Sequence, residues 1–166
     1  MLPKRTYLPD SFLACARLRN IETKVARAAF AHQGVSGAVE FRQVSPFHPV
    51  GARVGLSGLG GGPAGGFHVH EFPVPRRRDA EDNPCARTAG HFNPFNVDKS
   101  LSPAAGAGSF DEYEVGDLSG KYGGLADREE RSDAFVDPSL SLFGRYSVVG
   151  RCVVTTKRPN VSFMGP

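Results

Sequence analysis

The chain has 166 residues, 40% of them hydrophobic, which fits one domain with a packed core. Twenty Gly and 13 Pro with no Trp favour many short strands joined by turns over long helices. A formal charge of +3 is modest, and the one basic run, Arg76-Arg77-Arg78, is followed at once by Asp79, Glu81 and Asp82, which argues against a nucleic-acid footprint. No apolar run approaches the length needed to span a bilayer.

The first residues lack the continuous apolar stretch of a secretory signal, so the chain reads as cytosolic or as an internal piece of something longer. Val25 to Phe30 and Val35 to Val44 read as two strands with Gly34 at the turn. In the second, Val35, Gly37, Val39 and Phe41 alternate with Ser36, Ala38, Glu40 and Arg42, which predicts one buried and one wet face. A third strand is expected over Ala52 to Leu59, before the turn Gly60-Gly61-Gly62-Pro63. A fourth antiparallel strand, Gly66-Phe67-His68-Val69-His70-Glu71-Phe72, comes next. There His68 and His70 share one face while Phe67, Val69 and Glu71 take the other.

From Pro73 to about Asp111 no period is sustained, and Pro, Gly, Asn and Asp abound. So long an irregular stretch inside a compact domain points to function or disorder, and His91 and Cys85 favour function. Strands are expected to resume at Tyr113 to Tyr122 and Ser147 to Thr156, with Asp133 to Ser141 as a crossing connection. Two imidazoles on one strand face are half of a transition-metal site. His91, in the turn-forming context Gly90-His91-Phe92-Asn93-Pro94, is a third ligand if the loop folds back. Spacing alone leaves the alternative open: strand histidines are more often surface or core residues than ligands.

The ordered blocks GFHVHEF, a loop cysteine at Cys85, GHFNPFN, Val115-Gly116-Asp117-Leu118 and SLFGRYSVVGRCVV carry more. Together they resemble the copper/zinc superoxide dismutase family over residues 25 to 158. The resemblance implies an all-β fold, a Greek-key sandwich or flattened barrel, lacking its own last strand. It implies copper at His68, His70 and His91, with Thr156 where the family has a fourth histidine. A neutral hydroxyl is a poor copper ligand, so superoxide dismutation by copper redox cycling is expected to be weakened.

The zinc half is largely lost by the same comparison, since Lys99 and Glu114 stand near two further histidine positions and only His91 and Asp117 remain. A protonated lysine cannot ligate. Glu114 and Asp117 suit a supporting task, accepting the free ring N–H of His91. The alternative for Glu114 is an acid at a strand edge. This pattern is similar to the copper-only branch, which includes extracellular proteins built from repeated domains, so an extracellular location is implied by resemblance alone.

No residue matches the family's anion-guiding arginine; Lys157 and Arg158 are the nearby cations that could attract superoxide. Residues 1–24 read as an extension in which Ser11 to Ala16 is similar to the closing strand of a preceding repeat, and 159–166 as a tail. In that reading Phe12 stands at the guiding-arginine position, and Cys15 either belongs to a neighbour or pairs with Cys85. Cys152 is expected to be a small buried hydrophobe, about 13 Å along the strand from Thr156. The competing function is a non-catalytic structural or binding module within a repeat protein, with neighbouring repeats as its partners.

Overall fold

The computed structural model describes residues 22–32, 34–60, 65–75 and 85–157. Residues 1–21, including Phe12 and Cys15, lie outside this range, as do residues 61–64, the arginine run at 76–78, Arg158 and the tail.

The first three strands follow the period of the sequence. β1 (Lys24–His32), β2 (Val35–Gln43) and β3 (Val50–Ser57) form an antiparallel meander in which Ala28 opposes Val39 and Val39 opposes Val54. On β2 and β3 the inward set Val39, Phe41, Val50, Ala52, Val54 and Leu56 is buried, while Arg42 and Arg53 face solvent. Alternation of this kind fixes register, because a slip of one residue would turn every core side chain outward.

β4 (Gly65–His70) does not continue the meander. It pairs with β6 (Cys152–Lys157) in a second, two-stranded sheet, so the chain crosses from one layer to the other between β3 and β4. The fourth place beside β3 is taken by β5 (Glu130–Asp137), giving the order β1-β2-β3-β5. Phe67 and Val69 point inward from β4 and join Val39, Phe41, Val54 and Leu56 in one core. The result is a β-sandwich of antiparallel sheets with little helix.

Three expectations need correction. Glu130–Asp137 is a full strand, where a crossing connection was expected over Asp133 to Ser141; Arg131 is buried there because its guanidinium bonds the carbonyls of Tyr122, Gly123 and Gly124. Tyr113 to Tyr122 is not a strand. Its end is the short helix α1 (Leu118–Tyr122), started by Asp117, whose carboxylate accepts the Gly120 N–H at 2.8 Å. The last strand begins only at Cys152, since Ser147 to Arg151 turns, with Arg151 N bonded to Val148 O.

Candidate metal centre

Because Phe67 and Val69 are drawn into the core, His68 and His70 are left on the opposite face of β4, beneath the 85–118 loop. That loop is fastened to the backbone of β4. Phe92 N donates to Val69 O at 2.8 Å, Glu71 N to Gly90 O at 3.1 Å, Val69 N to Gly116 O at 2.9 Å and Gly116 N to Phe92 O at 2.8 Å. The approach is too close for any side chain at Gly116, where a Cβ would lie 2.2 Å from Val69 O. Gly66 matters in the same way: a Cβ there would sit 2.6 Å from Cε1 of His68.

These bonds carry His91 onto the histidine face, opposite His70 in an isolated bridge. The His68 and His91 rings stack at 4.0 Å between centroids; His70 lies 5.5 Å from His91 and 6.5 Å from His68. One ring nitrogen of each falls within 4.8 Å of the other two, close enough for a shared ion.

The hydrogen bonds show which nitrogens are available. His91 Nδ1 donates to Glu114 Oε2 at 2.6 Å, so its Nε2 keeps the lone pair. Glu114 is steadied in turn by the Asn93 side-chain amide, 3.2 Å from Oε1. His70 Nδ1 donates to Ala89 O at 2.8 Å and lies 3.0 Å from the Thr88 hydroxyl, again leaving Nε2. His68 has its Nε2 3.5 Å from Asp117 Oδ1, whereas its Nδ1 is buried with no hydrogen-bond partner. A buried polar atom without a partner is costly, and this one belongs to the residue that completes the trio. The donor set of three imidazole nitrogens fits copper.

Electrostatics favour the neutral form of the two strand histidines. Burial, with the neighbouring His91 adding and Asp117 opposing, lowers His68 to about 4. Burial lowers His70 as well, against the Ala89 hydrogen bond. The charge of Lys99, which opens a 3-10 turn at Lys99–Leu101, works in the same direction on both.

Thr156 lies on β6 opposite Gly66, on the histidine face, and its hydroxyl accepts the Gly66 N–H at 3.0 Å. Asp117 is 6% exposed and divides its carboxylate between the α1 N-terminus and His68. His91, Glu114 and Asp117 also form a group of ligand atoms within 4.8 Å, but Glu114 is engaged by His91 and Asn93, and Asp117 by Gly120. The backbone of Lys157 closes β6, and Arg158 lies outside the described residues. The pairing of Cys15 with Cys85 lies outside them too. Cys85 and Cys152 are not joined in a disulfide. Cys152 is not a buried hydrophobe: it is partly exposed, and its thiol donates to Phe72 O at 3.0 Å.

Sequence reasoning missed Thr88, Ala89 and Asn93, which orient His70 and Glu114. Only Asn93 carried a signal, inside GHFNPFN. Thr88 sits in the irregular stretch with nothing to mark it. Also unanticipated was Lys121, 6% exposed, whose ammonium meets Asp137 Oδ2 at 2.5 Å, Val115 O at 2.9 Å and the Ser139 hydroxyl at 3.0 Å. Burial lowers its pKa against the pull of Asp137. It ties α1, beside the histidines, to the end of β5.

Among the described residues no helix is long and apolar enough to cross a membrane. The family model of the copper/zinc superoxide dismutases matches residues 35–161. The cell surface Cu-only superoxide dismutase 5 of Candida albicans is 37% identical over 90 residues, which are 50% of this chain and 34% of that protein. The Cu-Zn superoxide dismutase of Saccharomyces cerevisiae is 36% identical over 124 residues, 73% of this chain and 70% of the relative. The chain thus spans about a third of the first relative's length and most of the second's. A mutant of Candida albicans superoxide dismutase 5 matches the fold with a TM-score of 0.66 at 28% identity, covering 82% of this chain and 84% of that one. Its Cu(II) form matches at 0.63, again with 28% identity, over 82% of this chain and 84% of its own. With a sandwich of this topology and a family match over most of its length, the chain belongs to the copper/zinc superoxide dismutase family, near the copper-only branch.

Proposed function

We propose that this is a superoxide dismutase-like, copper-binding domain whose dismutation of superoxide is weakened. His68 Nδ1, His70 Nε2 and His91 Nε2 would hold the copper. The observation that carries this reading is the convergence of three imidazoles whose ligand atoms lie within 4.8 Å of one another, one of them with a buried nitrogen lacking a partner. When bound, copper supplies one-electron chemistry, accepting an electron from one superoxide anion and returning it to a second.

The chain's own residues do the rest. Glu114 holds the proton on His91 Nδ1 and fixes that ring's tautomer; Ala89 and Thr88 do the same for His70. Asp117 aligns His68 through Nε2. Thr156, at the fourth position of the family's pattern, offers only a hydroxyl already engaged by Gly66 N, so the set stays at three nitrogens. Lys157 and Arg158 attract the anion less accurately than a placed arginine would. Zinc is not held, because Glu114 and Asp117 are occupied in orienting the imidazoles.

In this reading residues 25–158 form the domain, 1–24 carry the closing strand of a preceding repeat and 159–166 are a tail. The parent protein is extracellular, in line with the cell surface relative. One observation favours the second reading, a non-catalytic module: Thr156 stands where a further imidazole belongs, on the right face and facing Gly66.

Superoxide consumption by the copper-loaded chain separates the two. A low rate, abolished by His70→Ala and raised by Thr156→His, supports the enzyme. Copper bound without turnover in both the native chain and Thr156→His supports the module.

A further inference from the structure

Two cysteines flank the residues that orient His70. Cys85 precedes the 3-10 turn Ala86–Thr88, and its carbonyl accepts both Thr88 N at 3.1 Å and the Thr88 hydroxyl at 2.7 Å. That hydroxyl is also 3.0 Å from His70 Nδ1. Cys152 opposes His70 in the β4–β6 ladder, so its side chain leaves the sheet on the histidine face. Its sulfur donates to Phe72 O at 3.0 Å, and Phe72 N donates to Thr88 O at 3.1 Å. Cys85 is thus tied to Thr88 and Cys152 to Phe72, two residues bonded to each other, although 67 positions separate 85 from 152 in the chain. Both are partly exposed, within reach of a small oxidant.

We propose that Cys85 and Cys152 form a reversible disulfide that clamps the loop to β6 and fixes the turn that orients His70. The chemistry is thiol–disulfide exchange with a low-molecular-weight disulfide such as oxidised glutathione. One cysteine thiolate attacks a glutathione sulfur and expels a glutathione thiolate; the other then attacks the mixed disulfide and expels the second. Both S–H bonds are lost, one protein S–S bond forms, and the two electrons and two protons end on two glutathione thiols. A clamp of this kind has a built-in consequence for the site. Thr88 is fastened to Cys85 and touches His70, so tightening the turn reduces the freedom of that imidazole.

The test uses the full, metal-free chain, so it does not depend on the copper reading. After equilibration with oxidised and reduced glutathione, peptide mapping under non-reducing conditions should find Cys85 linked to Cys152, and the link should survive Cys15→Ser. The oxidised chain should melt higher than the reduced chain by about 10 °C. Cys152→Ser should erase that difference. Oxidation should shift the ring signals of His70 in NMR and leave those of the remote His48 unchanged. A link from Cys15 to either residue, or both thiols still open to alkylation in the oxidising buffer, overturns the disulfide. A mapped link with no change at His70 overturns the clamp.

Discussion

The two layers of this molecule are built on different terms. In β1-β2-β3-β5 each strand is held along its length by regular ladders, and a buried side chain alternates with a solvated one. On the outer face of β4 the order comes from single bonds between loop and strand: Phe92 to Val69, Gly116 to Phe92, Glu71 to Gly90. A ladder shares its load over many equivalent bonds, whereas here each contact has a distinct duty and no substitute. Damage to the four-stranded layer should cost stability alone, while damage beneath the loop should cost stability and the metal site together.

The largest effect is expected where the two regions are joined. Lys121→Ala leaves Asp137 buried beside Ser139 and Leu140 without its cation, and should destabilise the fold by about 4 kcal/mol in urea unfolding. Gly116→Ala forces a methyl against Val69 O and should cost about 3 kcal/mol; it should also weaken copper binding, which an exposed substitution such as Arg53→Ala on β3 should not do.

Acid sharpens the comparison further. His68 is held at about 4 and His70 is also lowered, whereas an unfolded imidazole has a pKa of 6.5. Between those values the unfolded chain binds more protons than the folded one, so the metal-free protein should lose about 2–3 kcal/mol as pH falls from 6.5 toward 4. No such contribution exists above pH 6.5, where both states are neutral. His68→Gln should flatten that slope, which a denaturant titration at several pH values would read. Smaller still is Glu114→Gln, which should lower copper affinity by roughly 10-fold to 100-fold with little change in melting temperature.

Alternation made β2, β3 and β4 legible in the sequence, along with the shared face of His68 and His70. It failed for Glu130–Asp137, because Arg131 interrupts the apolar set and is buried only through carbonyls supplied by a separate turn. It misled at Tyr113 to Tyr122, where Asp117 caps a helix too short to show a period. A role for His91 beside the strand histidines was expected from the family pattern, but not the means of bringing it there: four backbone bonds and the absence of a side chain at Gly116. Thr88 was invisible, since its role depends on meeting His70 from 18 positions away in the chain.

The central claim, that three imidazoles share one copper ion, is tested most directly by electron paramagnetic resonance of the chain loaded with one equivalent of copper(II). The account predicts hyperfine splitting from three nitrogens, reduced to two in His68→Ala, His70→Ala or His91→Ala alike. A spectrum unchanged by any one of these substitutions would contradict it.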